Sequence, residues 1–245
     1  MDLSVVVPVR NEAANIDPLL AEIDEALRGR GEFEVIYVDD GSTDDTRDRL
    51  RAARVRYPRL RVIRHRESCG QSRAVLTGVS AARAPWLVTL DGDGQNDPAD
   101  IPRLLDALGD PQAPRNLRMV IGHRRSRRDT PWRRFSSRVA NGVRNRLLRD
   151  DTPDSGCGLK VLSREAYLRL PYFDHMHRFL PALIRRDGGE VRSLEVNHRP
   201  RERGRSNYGT LDRLWVGIVD LMGVAWLQRR ARMAEIEEEE AVDEH

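Results

Sequence analysis

An apolar run, Pro85-Trp86-Leu87-Val88-Thr89-Leu90, stops abruptly at Asp91-Gly92-Asp93-Gly94-Gln95, two carboxylates one glycine apart followed by an amide. Oxygen ligands of this kind suit Mg²⁺ or Mn²⁺, ions that share their coordination shell with a substrate's phosphates. Leu87 to Leu90 reads as a buried strand. Ligands in open α/β sheets collect at the carboxyl ends of strands, so Asp91 and Asp93 stand where a substrate would arrive. Taken alone, a solvated Asp-Gly turn would show the same residues. Two further runs end in the same way: Leu3 to Val9 leads into Arg10-Asn11-Glu12, and Phe33 to Val38 into Asp39-Asp40-Gly41-Ser42. Asn11 and Glu12 also fit a helix start, whereas an acidic pair at a strand end can hydrogen-bond a nucleobase or ribose. Three separate strands ending in acid or amide groups make one shared crevice the better reading.

The elements that position these groups follow a clear rhythm. Strands are expected over Leu3–Val9, Phe33–Val38, Leu60–Ile63 and Leu87–Leu90, with helical spacing over Ile16–Leu27, Asp44–Val55, Gln71–Ala82 and Pro98–Leu108. Such alternation produces right-handed βαβ crossovers and a mostly parallel sheet, the nucleotide-binding half of a Rossmann-like α/β fold. Beyond Pro114 the rhythm loosens, with strands expected over Met119–Gly122, Gly158–Leu162 and Val191–Val196, a helix over Trp132–Leu148, and a charged loop over Arg199–Asn207. Leu211 to Leu227 reads as a further helix. It carries Arg213, Gly217, Asp220 and Gln228 on one stripe and Trp215, Ile218, Met222 and Trp226 on the other.

The 245 residues suffice for one large domain. A net charge of +3 conceals an arginine-crowded stretch, Arg115 to Arg149, and an acidic one, Glu235 to Glu244, expected to be disordered. Lys160 is the only lysine, so the basic groups are nearly all guanidinium forks suited to phosphate, although biased codon usage would give the same composition. Arginine-rich segments also bind nucleic acid, but aromatics are sparse among these arginines and no nucleic-acid motif accompanies them. Cys69 and Cys157 have no partner spacing, which argues against a zinc site or a disulfide and fits a reducing compartment. Met1-Asp2-Leu3-Ser4 carries no positive leader, and Leu211–Leu227 is interrupted by Asp212, Arg213 and Asp220 and too short to span a bilayer. The expected location is therefore cytoplasmic, with any membrane contact peripheral or through an integral partner.

In order and spacing, Pro8-x-x-Asn11-Glu12, Asp39-Asp40-Gly41-Ser42-x-Asp44-x-Thr46 and Asp91-x-Asp93-x-Gln95 resemble the inverting family 2 glycosyltransferases of GT-A fold. The likeness is closest to the dolichol- and polyprenyl-phosphate sugar synthases and runs from Leu3 to Asn207. It implies that Pro8, Asn11, Glu12, Asp39, Asp40, Gly70 and Asp91 hold the nucleotide of a diphosphate sugar. It further implies that Asp91, Asp93 and Gln95 hold Mg²⁺ or Mn²⁺.

Gly122-His123-Arg124 is similar to the family's Gly-Ser-Arg segment, and Arg133 or Arg134 falls near its second phosphate-binding arginine. Asp154-Ser155-Gly156-Cys157-Gly158-Leu159-Lys160 resembles the Ser-Gly-Phe-Arg segment beside the acceptor. His198-Arg199-x-Arg201-x-x-Gly204-x-Ser206 resembles a loop that closes over phosphates. By that resemblance Asp93, Arg124, Arg133 and Arg201 are the catalytic candidates, while Arg134, Ser155, Lys160, Arg199 and Ser206 face the acceptor and its phosphate. The chain departs from the family at Glu67-Ser68, which replaces an Asn, at Gly158, which replaces an aromatic, and at Lys160, which replaces an arginine.

Members that glycosylate a hydroxyl need a carboxylate base, commonly in a Glu-Asp pair, and processive ones add Gln-x-x-Arg-Trp; neither follows Lys160. A phosphomonoester has a second pKa of about 6, is largely anionic at neutral pH, and needs no such base. The expectation is sugar transfer from a GDP- or UDP-sugar to a polyprenyl phosphate. The alternative is a hydroxyl acceptor with Asp154 or Asp174 as base. His175 and His177, spaced His-x-His, are expected to line the acceptor mouth or cap a helix rather than bind metal. The division expected is a GT-A domain over 1–207, a C-terminal amphipathic helix over 208–232 facing membrane, a partner or a second subunit, and a disordered tail over 233–245.

Overall fold

The structure is a computed structural model that describes residues 1–124, 142, 144–200 and 211–231, with only the backbone for 211–215. Arg133, Arg134, Arg201, Ser206, most of the expected 132–148 helix and the acidic tail lie outside the described residues.

Seven strands form one sheet: β1 (Leu3–Val9), β2 (Phe33–Asp39), β3 (Leu60–Arg64), β4 (Trp86–Thr89), β5 (Leu117–Arg124), β6 (Lys160–Ser163) and β7 (Glu190–Val196). Their order is β3-β2-β1-β4-β6-β5-β7. The β4–β6 and β5–β6 pairings are antiparallel and the others parallel, so the sheet is mostly parallel, as expected. β1 and β2 are almost entirely buried and rich in Val, as strands covered on both faces are.

The helices are α1 (Ile16–Ala26), α2 (Thr46–Arg56), α3 (Gln71–Ala81), α4 (Ile101–Leu108), α5 (Arg164–Arg169), α6 (Leu180–Arg186) and α7 (Leu211–Arg229), with a further helical stretch at 144–148. α3 packs on β1 and β2, α4 on β5 and β6, and α6 on β7. The close approach of α3 depends on Gly78, where a Cβ would lie 2.4 Å from Val6 Cγ1. α2 begins two residues later than its periodicity suggests because Asp44 is used as an anchor, its carboxylate accepting from the Thr46 and Ala13 amides at 3.0 and 3.4 Å. A buried ion pair braces the far side of the sheet: Glu34 accepts from Ser4, Arg61 and the Arg83 amide. Burial alone would raise this carboxyl, but those bonds outweigh it and hold it below its ordinary value.

The topology explains why distant segments converge. Strand order reverses between β1 and β4, and the crevice outside their carboxyl ends is the switch point where α/β sheets bind ligands. Because β6 runs antiparallel to β4, its first residue, Lys160, lies opposite Thr89, two residues before Asp91. Lys160 is also opposite Ile121 of β5, so Arg124 at the end of β5 emerges on the same edge. β7 runs parallel to β5 and delivers His198, which forms an isolated antiparallel bridge with Asn96.

Candidate active site

At this edge lies a cavity of about 840 Å³ whose wall includes Pro8, Asp91, Arg124, Ser155 and Lys160. Five of the sequence candidates thus meet in one space. Asp91 is held from two sides: its amide donates to Asn96 Oδ1 at 3.0 Å and its Oδ1 accepts from Gln71 Nε2 at 2.7 Å. A Cβ at Gly158 would lie 2.3 Å from Asp91 Oδ2 and 2.6 Å from Asn96 Oδ1, so only glycine fits beside this carboxylate. Burial, then repulsion from Asp93, pushes the Asp91 carboxyl up from its ordinary range. Asp93 Oδ1 accepts from the Gln95 amide at 3.1 Å, and Gln95 turns its side-chain nitrogen toward the Arg199 carbonyl.

The remaining strand-end candidates stand just outside the cavity wall and hold one another. Asn11, at a positive φ of 57°, accepts the Thr43 amide and donates its own amide to Ser42 Oγ. Glu12 accepts from Asn15 Nδ2 at 2.6 Å. Asp39, buried, accepts from the Ser42 amide and from Arg64 Nε. Asp40 receives four donors: His65 Nδ1, the Cys69 amide, Ser68 Oγ and the Gly70 amide.

Asp40, His65 and Cys69 are near enough to share an ion. However, both Asp40 oxygens are already engaged, and His65 Nε2 meets Thr77 Oγ1 at 2.9 Å, so the group is explained as the anchor of the 65–70 loop. Burial works to raise the Asp40 carboxyl, and the four bonds outweigh it and hold it low. Stability from a depressed carboxyl is present above its unfolded value and lost as pH falls through the folded one. Asp40→Asn, which turns an N–H₂ toward those donors, is expected to cost about 2–4 kcal/mol at pH 7, and less below about pH 4. Urea melts at both pH values check this.

Arg199 lies away from the cavity, contrary to its expected place on the acceptor phosphate. Its guanidinium spans Glu22 and Asp97, both at 2.7 Å, and its amide donates to the Gln95 carbonyl. The sequence could not show this, because Glu22 is 177 residues away. What Arg199 does in the structure is clip the metal-type loop, the segment after β7 and α1 together.

Arg124 and Asp154 form a two-pronged pair, Nε–Oδ2 at 2.5 Å and Nη2–Oδ1 at 2.7 Å. Arg144, one of many arginines in its segment and without a motif of its own, binds Ser155 Oγ, the Thr152 carbonyl and Asp150. These two arginines hold the 150–156 turn against the cavity. Lys160, buried, donates to the Cys157 carbonyl, and burial lowers its ammonium below the ordinary lysine range. His177 lines the cavity, whereas His175 turns away to Asp220 of α7 at 3.2 Å. Gln71 and Arg178 also reach the wall; a lone amide and one arginine among many carry little signal in the sequence. Asp174 is exposed and accepts from Tyr172.

The sequence profile of glycosyl transferase family 2 matches residues 4–170, more than half of the chain. The chain belongs to glycosyl transferase family 2. Among similar curated proteins of this kind is dodecaprenyl-phosphate galacturonate synthase of Rhizobium johnstonii, 34% identical over 237 residues, covering 94% of this chain and 68% of that protein. Undecaprenyl-phosphate 4-deoxy-4-formamido-L-arabinose transferase of Pseudomonas paraeruginosa is 34% identical over 212 residues, covering 85% of this chain and 61% of that protein. The chain thus spans roughly two thirds of the length of these relatives. Glucosyl-3-phosphoglycerate synthase of Mycobacterium tuberculosis, crystallised with Mn²⁺, UDP-glucose and glycerol 3-phosphate, superposes with a TM-score of 0.70 at 20% identity, covering 93% of this chain and 79% of that one. The fold of this family 2 glycosyltransferase is therefore the GT-A arrangement expected from its sequence. Among the described residues no helix is long and apolar enough to cross a membrane.

Proposed function

We propose that this glycosyltransferase moves a sugar, with inversion, from a nucleotide-diphosphate sugar to the phosphate of a polyprenol. The observation that carries this reading is the state of the cavity's carboxylates. Among the described residues that line it, they are Asp91 and Asp154. Asp91 belongs to the donor end, and Asp154 is locked on Arg124. A hydroxyl acceptor needs a free base within hydrogen-bond reach; Asp154 is committed elsewhere and Asp174 is not in the cavity wall. A phosphate acceptor needs cations, and Arg124, Arg144, Lys160 and Arg178 supply them. The two named relatives act on polyprenyl phosphates, which supports the same acceptor class.

The donor set at Asp91, Asp93 and Gln95 fits a divalent ion, Mg²⁺ or Mn²⁺: two crowded carboxylates, one displaced upward by burial and by the other's charge, are relieved by a cation. Such an ion, when bound, neutralises the diphosphate that leaves with the nucleoside. Pro8, Asn11, Glu12, Asp39, Asp40 and Gly70 then shape the nucleotide's side of the crevice, the first by contact and the others by holding its loops. Arg124 and Ser155 face the acceptor phosphate. Arg133, Arg134, Arg201 and Ser206, outside the described residues, remain candidates for the same anion.

The lipid acceptor implies contact with a membrane surface, and α7 is built for it. Its polar stripe faces inward: Asp220 meets His175 and Gln228 Nε2 donates to the Leu148 carbonyl at 2.8 Å. Val219, Met222 and Trp226 face out, Met222 66% and Trp226 58% exposed, with Arg230 over the Trp226 ring. An apolar outward face ending in arginines suits an anionic lipid surface. Met222→Ser with Trp226→Ser is expected to weaken binding to anionic vesicles by about 100-fold, from some 3 kcal/mol of lost burial. Turnover with a short, water-soluble acceptor should be unchanged. Retained vesicle binding would place a protein partner or second subunit on this face.

The reading as a whole is tested with labelled UDP- and GDP-sugars, Mg²⁺ or Mn²⁺, and polyprenyl phosphate. Metal-dependent transfer of label into the organic phase is expected. Transfer only when a saccharide is supplied would overturn it.

A further inference from the structure

We propose that His177, presented as an Nε2–H donor by Ser72, holds the acceptor's phosphate monoester in the cavity; this rests on the function proposed above. Ser72, the second residue of α3, is buried. Its Oγ accepts the His177 amide at 3.3 Å and lies 2.7 Å from His177 Nδ1. The hydroxyl oxygen could accept twice, but its own buried proton finds no acceptor other than Nδ1 among the described residues, and we assign it there. The ring proton is therefore assigned to Nε2. Nε2 has no hydrogen-bond partner among the described residues, and the residue lines the cavity.

The place of the ring selects the ligand. Lys160 and Arg178 line the same cavity as His177, and so do the next residues along the chain, Phe179 and Leu180, with Ile218 and Leu221 of α7. Ile218 is itself 42% exposed, so this apolar surface runs out onto the helix face described above. A ligand with an anionic head and a hydrocarbon tail would set its head at the histidine.

Neutrality matters to the chemistry. In the transfer, an oxygen lone pair of the acceptor phosphate forms the new bond to the anomeric carbon. The bond from that carbon to the donor's diphosphate breaks, its electron pair leaving with the nucleoside diphosphate. No proton needs to move. An imidazolium would share its proton with a phosphate whose second pKa is about 6 and blunt the nucleophile. Burial, then the charges of Lys160 from β6 and of Arg178 and His175 from its own segment, pushes His177 down to about 3. Ser72 on α3 faces it as a neutral group. In the free protein the ring is therefore neutral in the range in which the acceptor ionises.

The test is steady-state kinetics with saturating donor and varied short-chain polyprenyl phosphate. His177→Leu should raise the acceptor KM about 10- to 100-fold while donor KM stays within about twofold, the loss expected for a hydrogen bond to a charged group. His177→Gln, whose amide nitrogen can reach the Nε2 position, should restore most of it, and Ser72→Ala should fall between. An unchanged acceptor KM in His177→Leu, or a Gln variant as defective as Leu, would overturn the inference while leaving the transfer reaction standing. Should the Leu variant not fold, Ser72→Ala against His177→Gln decides: only the former should raise KM. A wild-type protein that makes no lipid product would overturn the functional reading and this inference with it.

Discussion

Asp91→Asn is expected to lower kcat by at least about 10³-fold and, in the same protein, to raise the melting temperature of the metal-free form. The two effects share one cause. Asp91 is held between Gln71, Asn96 and the bare backbone of Gly158, with Asp93 close enough to repel it. A carboxyl whose folded pKa is raised costs stability once pH exceeds its unfolded value near 4, because the folded state must then carry a charge it disfavours. Removing that charge returns the cost, about 1–2 kcal/mol or some 2–8 °C for a chain of this size. Mn²⁺ should raise the melting temperature of the wild type and leave that of the variant unmoved. A variant that melts lower than wild type without metal, or that still responds to Mn²⁺, would show that these carboxylates are not a strained cation site.

The second large effect separates Arg124 from its partner. Arg124→Ala should lower kcat/KM for the lipid acceptor about 10³-fold, because it removes a cavity-lining guanidinium, with the N–H groups that Asp154 leaves over, at the place where two phosphates must approach. Asp154→Asn should cost only about tenfold, with the shape of the pH–rate profile unchanged. The asymmetry follows from roles. Asp154 orients the guanidinium through contacts of 2.5 and 2.7 Å and takes no proton from the acceptor, whereas removing a true general base typically costs 10²- to 10⁴-fold and abolishes the limb that reports its ionisation. If Asp154→Asn were as inactive as Arg124→Ala and lost the acidic limb, the acceptor would be a hydroxyl and Asp154 its base.

The first half of the chain is legible because its structure is local. β1, β2 and β4 are predominantly apolar runs, broken only by groups such as Ser4 and Glu34, the helices between them are periodic, and each strand stops at a carboxylate or amide, so the crevice can be located from the sequence. The roles of individual residues there are less legible. Asp39 and Asp40 are adjacent and chemically identical, yet one is capped by Arg64 and the other is saturated by the 65–70 loop. No sequence pattern distinguishes them.

Long-range pairing hides the rest. β6 reaches β4 across some seventy residues and runs against it, and that single antiparallel pairing sets Gly158 on Asp91 and Lys160 in the cavity. Arg199 sits in a phosphate-type motif but finds two carboxylates from α1 and the metal-type loop first. In α7 the two stripes are visible in the sequence, but which one faces inward depends on His175 and Leu148 waiting on the core.

The identity of the nucleophile is tested most directly by ³¹P NMR of the acceptor during turnover with a nucleotide sugar and divalent metal. The phosphomonoester resonance of the polyprenyl phosphate should disappear and a phosphodiester resonance should replace it, coupled to an anomeric proton of inverted configuration. A monoester resonance that persists unchanged while nucleoside diphosphate accumulates and sugar is joined to a hydroxyl would contradict a phosphate nucleophile.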